Sequence, residues 1–161
     1  MFIKNRNAFT MLELIFVVVV IGILSAIAIP KFAVNRNDAV IVKAKTTVAA
    51  IRSSLATERQ KRILRGNFDP IYKLSSSTTL GSPIFDAFDG NTTNPVLEYA
   101  PISCKTATLD GCWKVTTVGT EGITAVYTFN MPMSGTAVFE LTGNRFNCQS
   151  STDTNCQKLT R

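Results

Sequence analysis

The spacing of apolar positions changes twice along this chain. From Leu14 to Ile29 (LIFVVVVIGILSAIAI) there is no charge, and only Gly22 and Ser25 interrupt the run. Counted from Phe9 to Ile29 the segment holds 21 residues, which at a rise of ~1.5 Å reach ~31 Å, the thickness of a bilayer's hydrocarbon core. After Pro30 the pattern becomes that of one helix face. Val34, Ile41, Val48 and Leu55 recur every seven residues with Ala44 and Ile51 between them, while Arg36, Lys43, Lys45, Arg52 and Arg59 fall away from the stripe. Gly66, Asn67 and Pro70 supply a stop. The spacing predicts one helix from about Thr10 to Leu64, bent near Pro30 and ~80 Å long. The stripe reads as a core-facing surface. A free-standing coiled coil is the competing reading, but Asn37, Glu58 and Arg62 fall on the seam and leave too few apolar heptads.

Residues 67–101 carry Pro70, Pro83, Pro95, Pro101 and the run Ser75-Ser76-Ser77-Thr78-Thr79, the pattern of an irregular connector. A short helix around Pro83 to Phe88 is expected within it. Then the period becomes two. Cys112–Val118, Ile123–Phe129 and Thr136–Leu141 are rich in β-branched and aromatic residues, with turns at Gly119–Gly122, Met131–Gly135 and Thr142–Asn144. These short connections predict an antiparallel meander of three or four strands. A sheet of that size must bury one face, and the stripe Val34 to Leu55 is the long apolar surface available to cover it. The fold class is therefore α+β: a long N-terminal helix packed on a small antiparallel sheet.

Composition narrows the chemistry. The 161 residues contain no His, which removes the commonest general base, the Ser-His and Cys-His nucleophile pairs and the imidazole metal site. The expectation is a protein that is not an enzyme. The net charge is +6. Residues 1–66 hold 11 Lys/Arg against three acids, and residues 67–161 hold 6 against 8, so a basic half precedes a mildly acidic one. Lys4 and Arg6 precede the apolar run, and Lys31, Arg36, Lys43 and Lys45 follow it, which leaves the positive-inside rule undecided.

Cysteine spacing bears on the compartment. Cys104 and Cys112 are separated by eight positions, as are Cys148 and Cys156. Three pairings are formally open. Leu109-Asp110-Gly111 can turn the chain between the first two, and the polar stretch Gln149–Asn155 can close between the others, so the local pairing is favoured. Each loop would contribute roughly 2 to 3 kcal/mol on the chain-entropy model, and disulfides persist outside the reducing cytosol. A zinc site usually needs C-x2-4-C knuckles, which neither pair has. No metal is expected there.

A carboxylate stands at the start of the apolar run, in Ala8-Phe9-Thr10-Met11-Leu12-Glu13-Leu14. A charge within lipid costs several kcal/mol unless it has a partner or a role. Thr10 and Glu13 match the capping box, in which the Glu reaches back to the helix's first amide. An ordinary secretory signal cut after Ala28 is the other reading of the basic start and the Ala26-Ile27-Ala28 pattern, opposed by Glu13 and by the length of the run.

At these residues the string AFTMLELIFVVVVIGILSAIAIP resembles the type IV pilin-like superfamily, including the pseudopilins of type II secretion and the competence pilins. The short leader with Lys4 and Arg6, Phe9 as first residue after the cut, Glu13 four positions later, the apolar run and Pro30 stand where that family has them. The residue before the cut, commonly Gly in the family, is Ala8. The resemblance is strong over residues 1–35 and architectural beyond. It implies four segments: a prepilin leader at 1–8, a transmembrane and filament-core half-helix at 9–29, an amphipathic half at 30–66 and an extracytoplasmic sheet region at 67–161. It further implies cleavage between Ala8 and Phe9 by a prepilin peptidase and N-methylation of Phe9. Residence in the inner membrane with a cytoplasmic N-terminus would follow, then assembly with other pilin-like subunits by a platform protein and an assembly ATPase. Glu13 would set the register between subunits.

Two weaker candidates complete the set. Asp86, Asp89, Gly90 and Asn91 have a faint calcium-loop pattern, and major pseudopilins bind calcium in their C-terminal domain, but the alternation of an EF-hand is absent. Otherwise no cofactor is expected. Arg59, Arg62 and Arg65, beside Lys61, would suit DNA contact in a competence-type minor pilin, although cations near a helix C-terminus are favoured by the dipole in any case. Trp113, Tyr127 or Phe129 could stack on bases if exposed, but residues of this kind more often build a sheet core.

Overall fold

The computed structural model describes residues 10–133 and 135–161, with backbone alone for residues 27–35. The elements run α1 (Met11–Leu64), β1 (Cys112–Thr117), β2 (Ala125–Asn130), β3 (Thr136–Thr142), β4 (Arg145–Cys148) and α2 (Thr154–Thr160). The chain divides after Arg36 into two units, so α1 belongs to both. In the first unit the large apolar side chains of α1 from Met11 to Leu24 are exposed, as is Glu13 among them. The helix assignment continues through Pro30. The kink expected there, and Val34 of the stripe, lie where side chains are outside the described residues.

In the second unit α1 behaves as its stripe demands. Ala44, Val48, Ile51 and Leu55 are all buried, with Ile41 partly so, and they occupy one face at spacings of three and four. The helix ends where expected. Gly66 adopts φ 75°, and the Asn67 amide donates back to the Arg62 carbonyl at 2.9 Å. Such a cap needs a left-handed residue, which glycine adopts without a Cβ clash.

The four strands form an antiparallel sheet in the order β1-β2-β3-β4. Trp113 pairs with Phe129, Tyr127 with Phe139 and Leu141 with Phe146. Because alternate side chains share a face, Trp113, Tyr127, Phe129, Phe139 and Phe146 are the sheet's aromatic contribution to the buried cluster that also holds the α1 stripe. Phe139 and Phe146 stack with centroids 4.9 Å apart. Phe85 meets Trp113 edge-on at 5.3 Å.

Phe85 comes from the connector, which is irregular but far from loose. Ile71, Leu74, Ile84, Phe85, Ala87, Phe88 and Val96 are buried in it. Side chains satisfy part of its backbone where no ladder runs: the Ile71 amide donates to Asn144 Oδ1 at 2.7 Å, Leu74 to Tyr127 Oη at 2.7 Å and Phe85 to Ser75 Oγ at 3.1 Å. A Cβ on Gly119 would collide with the Tyr72 carbonyl, so the loop after β1 and the connector approach as only glycine allows. The helix expected around Pro83 to Phe88 does not form. Pro83 bridges to Ile102 instead, and Phe85 takes φ 60°, which no right-handed helix admits and which carries its ring into the core.

The two disulfides join Cys104 to Cys112 and Cys148 to Cys156, with Cα separations of 5.2 and 5.9 Å. The first closes a loop onto the start of β1. The second ties the end of β4 to α2, a helix that no periodicity in the sequence announces. Asp153 caps it by accepting from the Asn155 amide at 2.9 Å, and Cys156 and Leu159, three apart, are its buried residues.

Candidate functional site

The segment with the strongest sequence signal begins α1. Thr10 Oγ1 accepts from the Glu13 amide at 3.2 Å, and the Thr10 carbonyl accepts from Leu14 at 3.2 Å. This is half of a capping box. The reciprocal bond, from the Thr10 amide to the Glu13 carboxylate, is absent among the described residues, and Glu13 is exposed. Threonine therefore does the capping, while the Glu13 carboxylate stands among exposed Leu12, Leu14, Phe16 and Val17. Ala8 and Phe9, the cleavage and methylation positions, lie outside the described residues, as do Lys4 and Arg6. Among the described residues no helix is long and apolar enough to cross a membrane. The described side chains of the charge-free run extend from Leu14 to Ala26.

The other candidate residues fall into two groups. Arg62, on the continuation of the α1 stripe, is bound to carboxylates: its Nε lies 3.0 Å from Glu58 Oε1 and its Nη2 2.7 Å from Asp89 Oδ2. Asn94 Nδ2 adds a hydrogen bond to Glu58 Oε1 at 3.0 Å, and Glu58 is buried. Burial alone would lower the Arg62 pKa; the hydrogen bonds to Asp89 and Glu58 outweigh it and raise it above the ordinary value. The polar residues on the stripe thus continue the helix's inward face as an ion-paired cluster. Arg59 donates to the Phe68 and Asp69 carbonyls at 3.1 and 3.3 Å. Arg65 is exposed. Arg59, Arg62 and Arg65 therefore do not form one open cationic face, and Trp113, Tyr127 and Phe129 are buried in the core, away from any base.

The calcium pattern meets the same constraint. Asp89 Oδ1 accepts from the Tyr72 amide at 2.7 Å and from Lys73 at 3.3 Å, while its Oδ2 holds Arg62. Both Asp86 oxygens accept from Ser76. A calcium ion at Asp86, Asp89, Gly90 and Asn91 would have to displace a guanidinium and several amides, so this arrangement does not fit one. Among the described residues no group of three or more His, Cys, Asp or Glu side chains is placed to hold a metal.

What sequence reasoning missed is the union of Glu58, Arg62, Asp89 and Asn94. Its one legible signal was the pair of charged residues, Glu58 and Arg62, four apart on a mainly apolar stripe.

Among curated proteins and among solved structures nothing matches this chain. A family model does match its N-terminus: residues 3–29 fit the prokaryotic N-terminal methylation motif. The matched stretch spans Ala8, Phe9, the Thr10 cap, exposed Glu13 and the apolar run, and the chain thereby carries the prepilin signal of type IV pilin-like proteins.

Proposed function

We propose that this chain is a structural, pilin-like subunit of a type II secretion pseudopilus or a type IV pilus. In this reading a prepilin peptidase cuts between Ala8 and Phe9 and methylates the new amine. Residues 9–29 anchor the chain in the inner membrane with its N-terminus cytoplasmic, and residues 67–161 lie in the periplasm. Subunits then leave the membrane to pack by their N-terminal helices into a filament that serves protein secretion.

The observation that carries the reading is the methylation motif at residues 3–29 on a helix whose apolar side chains stand exposed. Two disulfides in the second unit support an oxidising compartment. Engagement of Arg59 and Arg62 by the protein's own oxygens favours this reading over a DNA-binding subunit for uptake.

Intact-mass analysis of protein from the native membrane tests it. The expected chain begins at Phe9 and carries one added methyl group. A chain beginning at Ile29 would overturn the reading, because the helix would then have been discarded as an export signal.

A further inference from the structure

The turn that follows Asp89 carries chemistry that assembly leaves unused. Asn91-Thr92-Thr93 is the chain's single instance of Asn followed two positions later by Ser or Thr. The intervening residue is not proline, and all three side chains are exposed. The turn is firmly anchored. Asn91 donates its amide to the Phe88 carbonyl at 3.0 Å and accepts from the Asn94 amide at 2.9 Å, while Phe88 is buried and Asp89 is held by Tyr72, Lys73 and Arg62.

Within the turn, Asn91 Oδ1 accepts from the Thr93 amide at 3.1 Å and from Thr93 Oγ1 at 2.7 Å. A backbone amide can only donate, which fixes the carboxamide's orientation. Its oxygen faces Thr93, and Nδ2 has no hydrogen-bond partner among the described residues. The Thr93 hydroxyl thus donates to the carboxamide oxygen and leaves Nδ2 turned away from it. An acceptor nitrogen, a hydroxyl two residues on and open solvent around both are what transfer of a sugar to asparagine requires.

We propose that Asn91 is an acceptor for N-linked glycosylation, with a lipid-linked oligosaccharide as donor. The inference rests on the extracytoplasmic placement of residues 67–161 given above. Asn91 Nδ2 attacks the anomeric carbon of the first sugar. The N–C bond forms, the bond from that carbon to the pyrophosphate oxygen breaks, the polyprenyl pyrophosphate leaves, and the Nδ2 proton passes to a base of the transferring enzyme. The glycan projects into solvent, so the core needs no rearrangement.

The test is peptide mapping of the full chain from its native membrane, reduced and cut at lysine and arginine. The peptide Leu74–Lys105 is expected to carry a sugar mass that fragmentation places on Asn91. Thr93→Ser should retain that mass; Thr93→Val, which keeps the asparagine, and Asn91→Gln should lose it. Unmodified Asn91 in chains that begin at Phe9 and hold both disulfides would overturn the proposal and leave the pilin-like reading standing. A sugar mass that survives Thr93→Val would also overturn it. A glycan on Asn91 of a chain that does not begin at Phe9 would support the site and overturn the processing.

Discussion

Tyr127 shows how one side chain joins three parts of the second unit. It lies on β2, its ring is buried beside Phe85 and Phe146, and its hydroxyl accepts the Leu74 amide of the connector. Burial pushes its pKa up to about 12, against the lowering effect of the bonds to Leu74 and Ser75 and with small additions from Asp86 and Asp89. The native state thus holds this proton more tightly than the unfolded chain, whose tyrosines titrate near ~10. Stability from this group is complete below that lower value and is lost as pH rises through the folded one. Between the two, the unfolding free energy should fall by roughly 2 to 3 kcal/mol, because each pH unit that separates the folded from the unfolded value is worth about 1.4 kcal/mol. Phenolate absorbance should show one tyrosine titrating near pH 12. Tyr127→Phe should cost about 1 to 3 kcal/mol at neutral pH by stranding the Leu74 amide, and should lack that alkaline decline. A variant that retains the full decline would show that another group causes it.

At the scale of elements, legibility followed periodicity. The α1 stripe could be read because Ala44, Val48, Ile51 and Leu55 repeat with the helix, and the strands because they are rich in β-branched and aromatic residues, with buried positions alternating in β3. Local cysteine pairing followed from turns short enough to close. The connector resisted because Leu74 and Phe85 are placed by distant hydroxyls and amides, which leave no period in the sequence. Helix α2 resisted because its seven residues are too few to be stable alone and only Cys156 and Leu159 mark its buried face. That dependence makes the Cys148–Cys156 bond its main tether. Replacing both of these cysteines by serine should cost about 2 to 3 kcal/mol and raise amide exchange throughout α2. The same change at Cys104 and Cys112 should loosen residues 105–111 and leave α2 protected. If α2 stays protected without its disulfide, its packing against β3 suffices.

For the whole molecule, the proposed assembly puts most weight on Glu13. Thr10 already caps the helix, so a carboxylate three residues later has no local need among the described residues. Cleavage at Phe9 would create a cationic amine, and pairing it with Glu13 of a neighbouring subunit would relieve two charges that are costly in lipid. Glu13→Leu should leave the protein made, inserted and cleaved but poorly assembled, read as sheared-filament yield against the membrane pool of mature subunit. Thr10→Val should cost about 1 kcal/mol in local helix stability and leave assembly intact. Equal failure of both variants would reduce Glu13 to a helix-start residue. Another feature bears on biogenesis: both disulfides join cysteines that are consecutive in the chain, Cys104 to Cys112 and Cys148 to Cys156. If the chain is exported as proposed, an oxidase that links thiols in their order of emergence from a translocation channel would make the native set directly, because Cys112 would emerge before Cys148 as its rival. Cells lacking disulfide isomerase should therefore accumulate this protein as readily as wild-type cells, whereas loss of the oxidase should deplete it. Scrambled pairs appearing only without the isomerase would mean that the chain waits, unoxidised, until all four thiols are present.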